Sequence, residues 1–246
     1  MTRLQTSALL GTLGLVVAAA GCGGTGATQH PLTNQLDPTF ATLDLGTLAS
    51  LPFASDITDA DDPDKIAASM VESKFFQGLG GTTGFSIFPS SEVGRQIGEN
   101  QMEDRMRSFY RKWIADPSDV DADFIKEVAA LMKADAVIAG AVDIWYQRHI
   151  DLTETGSART TVGAFVGLFD GATGRRLWYG RDENFKDAVR HTGRDLETEV
   201  DNRTARGEME RTNLRTATGV YAPPDFAEVV DLVVGPLVQA FPKRAP

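Results

Sequence analysis

The sequence predicts an α/β (α+β) sandwich: a mixed, mostly antiparallel sheet of about four to five strands, covered by helices. Three observations predict it. Residues 134–179 read as three consecutive strands, a central meander joined by a polar loop and then by a short turn at 170–174. Upstream, apolar residues recur at helical spacing between short strands, giving a strand-helix-strand N-terminal half. Downstream, residues 223–242 read as a C-terminal helix with one apolar face, which needs a sheet to cover.

The first strand is 47–53, with Pro52 at its end because proline cannot donate to a ladder. Residues 54–64 form an acidic loop. Its aspartates suggest calcium, but an EF-hand counted from Asp59 needs glycine at position six and glutamate at twelve. Asp64 and Met70 stand there, so a solvated loop is expected. Asp62-Pro63 reads as an N-cap with proline at the first helical position. Ile66, Met70, Val71, Phe75 and Leu79 then share a face, and the helix stops in a glycine cluster at 78–81. That cluster follows a helix and lacks Gly-Lys-Ser/Thr, so it is no phosphate loop.

Residues 84–88 form a short strand, and Pro89-Ser90 opens a short helix through Val93 and Ile97. A longer helix from about Gln101 carries Met102, Met106, Phe109, Tyr110, Trp113 and Ile114 on one stripe, a core pattern. Asp121 or Asp123 caps the next helix, which puts Phe124, Ile125, Val128, Leu131 and Met132 inward. In the middle strand of the meander, alternation assigns Val162, Ala164, Val166 and Leu168 to one face. Gly163, Phe165, Gly167 and Phe169 take the other, where the glycines admit a close helix.

The polar piece 147–157 reads as a solvated hairpin tip, because Arg148, His149, Asp151 and Glu154 have no implied convergence on a strand. Residues 182–222 alternate in charge without an apolar stripe and read as a polar excursion from the domain.

Residues 1–21 read as a signal peptide: Arg3, then an apolar run too short for a membrane span. The run closes on Ala19-Ala20-Gly21-Cys22, which resembles the bacterial lipobox, with Ala19 where leucine is usual. Cys22 is the only cysteine, so it cannot form an intrachain disulfide. The resemblance implies that Cys22 is diacylated and becomes the mature N-terminus, a lipid anchor in the membrane. Gly23, rather than aspartate, follows it, which by the same resemblance implies the outer membrane with the domain in the periplasm. Residues 22–43, rich in glycine and interrupted by Pro31 and Pro38, form a flexible tether, with an r.m.s. reach of roughly 25 Å over about 20 residues. Residues 44–242 form a single domain.

The full chain carries 24 basic and 34 acidic residues; without Arg3 the balance is 23 to 34, a formal net charge of −11. Such a surface repels phosphate backbones, so no nucleic-acid partner is expected. No cofactor motif, catalytic constellation or metal-ligand spacing is present: His30, His149 and His191 fall in tether, hairpin and excursion.

Three pieces of the domain resemble one lipoprotein superfamily. Leu48-Ala49-Ser50-Leu51-Pro52-Phe53 is similar to its first strand. Residues 134–142 (Ala-Asp-Ala-Val-Ile-Ala-Gly-Ala-Val) are similar to its Ala-Asp-aliphatic-aliphatic-x-Gly-x-Val strand. Residues 168–178, with Asp170, Thr173, Gly174 and Trp178, resemble its Asp-x-x-Thr-Gly-x-x-x-Trp hairpin. The superfamily includes the curli-secretion lipoprotein, the lipoprotein activator of a penicillin-binding protein, and the N-terminal domain of the Tol propeller protein. The resemblance covers residues 45 to 242 and implies a non-enzymatic binding or assembly module for an envelope protein partner. Two alternatives stand beside it. One is a secretion-channel subunit of the curli type, which needs membrane-crossing hairpins. The other is an enzyme built on carboxylates that converge only in space.

Overall fold

The computed structural model describes residues 32–80, 83–150, 157–188 and 222–244. The signal peptide, Cys22, the start of the tether, the hairpin tip 151–156 and residues 189–221 of the excursion lie outside them. Seven strands form one sheet: β1 (Thr33–Leu36), β2 (Thr47–Ser50), β3 (Ala54–Ser55), β4 (Ser86–Phe88), β5 (Ala136–Arg148), β6 (Arg159–Asp170) and β7 (Arg176–Asp187). Five α-helices accompany them among the described residues: α1 (Ala67–Leu79), α2 (Ser90–Glu99), α3 (Glu103–Ala115), α4 (Ala122–Met132) and α5 (Phe226–Ala240). The spatial order is β1-β7-β6-β5-β2-β4, with β3 continuing beside β5. β5, β6, β7 and β1 pair antiparallel; β2 and β3 lie parallel to β5, and β4 lies parallel to β2. The expected mixed, mostly antiparallel α+β sandwich is the observed one, with two more short strands than the sequence suggested.

The sheet separates two cores, which makes three layers. On one face Val162, Ala164, Val166 and Leu168 pack with Phe75 of α1 and Val233 and Leu237 of α5. On the other, Phe165 and Phe169 pack with Phe109 and Trp113 of α3 and Phe124 and Val128 of α4. The alternation read from β6 holds, and so does the role of its glycines. A Cβ on Gly167 would stand 2.9 Å from Trp113 Cζ2, so the indole lies directly on the strand. β5 is buried from Ala136 through Val142 because both of its faces are covered.

The structure departs from the sequence reading at three places. Within the expected tether, β1 and a 3-10 helix at Pro38–Thr42 are ordered onto the sheet. No residue of β1 is buried, so no apolar pattern marks it; β7 holds it through its polar groups. Trp178 Nε1 donates to Asn34 Oδ1 at 2.8 Å, and Asp37 N donates to Leu177 O at 2.8 Å. Second, the expected excursion begins later than Asp182, because β7 continues to Asp187 along β6. Arg159 bonds both carboxylate oxygens of Asp187, at 2.7 and 3.0 Å, and its guanidinium stacks 3.8 Å from the Phe185 ring centroid. Cross-strand pairing carries this segment, where charge alternation had suggested a departure. Third, α1 starts at Ala67, not at Pro63. Lys65 takes φ 54°, which breaks the helical path. Asp62 still caps, at longer range: its two carboxylate oxygens accept from Ile66 N and Ala67 N, both at 3.0 Å. Capping of α4 falls to Asp121, whose Oδ1 accepts from Phe124 N at 3.0 Å.

The C-terminal helix is docked at its entrance. Pro224 O accepts from Thr160 Oγ1 at 2.5 Å and Gln147 Nε2 at 3.0 Å, and Phe226 stacks on Trp145 with ring centroids 4.0 Å apart. No helix among the described residues is long and apolar enough to cross a membrane.

Candidate functional site

The residues that carry the family resemblance serve the scaffold. Asp135 Oδ2 accepts from Gly46 N and Thr47 N, both at 2.8 Å, and so fixes the start of β2 against β5. Gly140 faces Phe53: a Cβ there would stand 2.3 Å from the ring. In the β6–β7 turn, Asp170 accepts from Ala172 N at 3.1 Å and Thr173 Oγ1 at 2.5 Å, and Gly174 takes φ 73°. Tyr110 of α3 donates its hydroxyl to Pro52 O at 2.7 Å, tying the Leu-Pro-Phe segment to the second core. Burial, and after it the nearby Glu72 carboxylate, push the Tyr110 hydroxyl well above the usual phenol range. A buried, hydrogen-bonded phenol held protonated is a structural post, not an acid-base group.

The other polar groups also divide into structural roles. In the acidic loop, Asp61 accepts from Thr58 Oγ1 at 2.7 Å, Asp59 pairs with Lys65 at 3.4 Å, and only Asp62 is buried. No group of three or more histidine, cysteine, aspartate or glutamate side chains converges among the described residues. His149 is exposed at the end of the long ribbon, and His30 and His191 lie outside the described residues. On the ribbon, Arg181 holds Asp143 through Nε and Nη2, at 3.1 and 2.8 Å.

Asp182 differs from these. It is buried, one carboxylate oxygen has no hydrogen-bond partner among the described residues, and burial raises its carboxyl above the ordinary aspartate value. An aspartate whose folded pKa is raised binds more protons folded than unfolded, so stability falls as pH rises from the unfolded value through the folded one. Asp182→Asn is therefore expected to raise the unfolding temperature at pH 7. The gain should shrink as the pH is lowered through the aspartate range. A melting-temperature series from pH 3.5 to pH 8 checks this, and a variant less stable than the parent at pH 7 contradicts it.

A cavity of about 510 Å³ lies at the β4 edge of the sheet. Its apolar wall is Phe76 and Leu79 of α1 with Phe85 and Ile87 from the β4 segment. Its polar end is Glu72 and Ser90, beside Pro89. The helical pattern of α1 supplies both parts: Val71 and Phe75 face the core, while Glu72 and Phe76, one position on, face the sheet edge. Glu72 Oε2 accepts from Phe53 N at 2.9 Å, and Oε1 accepts from the Ser90 hydroxyl. No cation pairs with Glu72 among the described residues.

The cavity adjoins an open strand edge. Ser86 N donates to Gly46 O at 2.9 Å. In a parallel ladder alternate residues face the partner, so Ser86 and Phe88 face β2, and Ile87 turns its N–H and C=O outward. No described strand lies beyond β4 to meet them. The sequence alone assigns no residue to a partner-binding surface. Phe76, Phe85 and Glu72 come together only through the fold. The one signal in the sequence is β4 itself, a short strand whose order in the sheet is not legible from spacing.

No family model matches the chain, and no curated protein matches it. Solved structures similar to it include the lipoprotein GNA1162 from Neisseria meningitidis, 18% identical, covering 65% of this chain and 99% of that one, with a TM-score of 0.38. The PelC dodecamer from Paraburkholderia phytofirmans is 14% identical over 87% of this chain and 99% of that one, TM-score 0.40. The LpoB C-terminal domain from Escherichia coli is 9% identical over 56% and 81%, TM-score 0.29.

Proposed function

We propose that the chain is a non-enzymatic docking module of the bacterial cell envelope, held by acylated Cys22 at the outer membrane, with its α/β domain in the periplasm. The observation that carries the reading is the cavity beside the unpaired edge of β4. It offers apolar area and backbone hydrogen-bonding groups, which suit another polypeptide. Its one ionisable group, Glu72, already accepts from two donors of its own chain. The lone cysteine at the end of a short apolar run supports the anchor. Lipid anchoring through several acyl chains is stable where one alone is marginal, at ~0.8 kcal/mol per buried methylene. The acidic surface leaves the lipid to hold the membrane without help from anionic headgroups.

One experiment tests both halves. A photo-crosslinking amino acid is placed at Ser86, beside the edge, or at Glu103, on the far face. Each is expressed with Cys22 intact or as Cys22→Ser. The expected result is a discrete crosslinked protein from Ser86 and none from Glu103, with the domain in the membrane fraction. Cys22→Ser should move the domain to the soluble fraction and weaken the crosslink. A Cys22→Ser domain that stays with membranes overturns the anchor, and indiscriminate crosslinking from both positions overturns the docking face.

A further inference from the structure

The shape of the edge specifies what docks there. We propose that the cavity binds an extended segment of a partner protein, which adds to the sheet as a strand beside β4 and carries an apolar residue two positions from a lysine or arginine. The inference rests on the docking reading and deepens it.

Three features of the chain define the ligand. The first is the backbone. Ile87 presents one N–H and one C=O outward at the sheet edge, and only an extended chain satisfies both while continuing the ladder. Ser86, Ile87 and Phe88 contain no charge and no proline, so within β4 itself only its three-residue length limits further pairing. The second is the side-chain spacing. Residues i and i+2 of an added strand point to the same face, about 7 Å apart. On the α1 side, such a pair would meet the two ends of the cavity. One end is the apolar wall of Phe76, Leu79 and Phe85; the other is Glu72, beside Ser90.

The third is charge. Glu72 has hydrogen-bond donors from Phe53 and Ser90 but no cationic partner among the described residues. A carboxylate has about four lone-pair positions, so both oxygens can accept again. The neighbouring Lys74 of α1 is taken by Asp231 at 2.8 Å, and the chain as a whole carries a formal charge of −10. A basic residue on the incoming segment therefore completes the carboxylate's surroundings and is drawn in by the field of the domain. An acidic or phosphorylated segment would be repelled by both.

A random heptapeptide library displayed on phage, panned against the full chain in detergent, tests the proposal. The expected winners share an apolar residue and a lysine or arginine two positions apart, in one chain direction. A synthetic winning peptide, fluorescein-labelled, should lose at least tenfold in affinity against Ile87→Pro. That change removes the outward N–H without removing the bonds of Ser86 and Phe88 to β2; Ile87→Ala, which trims the same wall side chain but keeps the N–H, should cost clearly less. Against Glu72→Gln, the peptide should lose its preference for the basic residue over alanine, while keeping its apolar requirement. Circular dichroism of each variant controls for folding. Winners without the spacing, or winners indifferent to both substitutions, overturn the strand-addition proposal. If that occurs while the Ser86 crosslink persists in cells, the docking function stands and only its mode is wrong; loss of both removes the function as well.

Discussion

Trp113→Ala is expected to destabilise the domain by about 3–5 kcal/mol, the range for deleting a large buried aromatic. Trp113 is fully buried at the centre of the second core. Its ring lies 4.8 Å from Phe165, 5.5 Å from Phe169 and 5.6 Å from Phe109, centroid to centroid. The backbone of Gly167 forms the floor beneath it, and a strand cannot move into the void without breaking its pairing on both sides. The Nε1 of Trp113 has no hydrogen-bond partner among the described residues, so removal of the indole leaves no stranded acceptor there, and the loss is one of packing. It follows that Trp113→Phe should recover most of the stability. Urea unfolding followed by circular dichroism checks both variants, with m held constant as evidence that only stability changed. A loss below about 1 kcal/mol for the alanine variant would mean that the core had closed over the gap.

The second large effect is expected at Gly174. Its φ of 73° lies where a side chain is strained, and a Cβ would stand 2.5 Å from both Cα and O of Ala122. Gly174→Val adds left-handed strain of roughly 1–2 kcal/mol and overpacking of roughly 1–3. Gly174→Asn distinguishes the causes. Asparagine tolerates the left-handed conformation but carries the same Cβ. Because the obstruction is the backbone of α4's first residue, asparagine should still cost about 2 kcal/mol. A near-native Gly174→Asn would show that the turn yields and that φ alone made glycine necessary. The glycine thus joins the β6–β7 turn to the entrance of α4, a contact that the hairpin pattern does not contain.

That case indicates where the sequence was legible. Elements with a buried face write themselves as periodicity: β6 assigned its own two faces, and the stripe from Met102 to Ile114 located α3 to within two residues. Elements held by backbone or polar groups leave no such record. β1 is four exposed residues fastened by Asn34 and the main chain. The end of β7 is a charged run fastened by its register with β6. Asp62 was legible as a cap, but the turn at Lys65 that delays α1 was not. Asp135 stood in a recognisable motif, and its service to β2, 88 residues earlier, needed the fold. The candidate site was hardest of all. Its wall comes from the flank of α1 and from an edge strand whose neighbours in space are not its neighbours in sequence.

The placement of β1 has a mechanical consequence. The chain leaves the described fold toward its N-terminus at Leu32, on the opposite margin of the sheet from β4. A pull transmitted from the N-terminal side reaches β1 first, and β1 is joined to β7 at only four register positions. Because it contributes nothing buried, it can peel away while both cores stay closed. Releasing β1 frees residues 32–36, about 17 Å of chain at roughly 3.3–3.6 Å per residue, while Phe40 and Leu43 stay packed on the first core. The edge strand is thus a slack reserve: under tension from the N-terminal side the chain lengthens before any load reaches the β4 margin of the sheet.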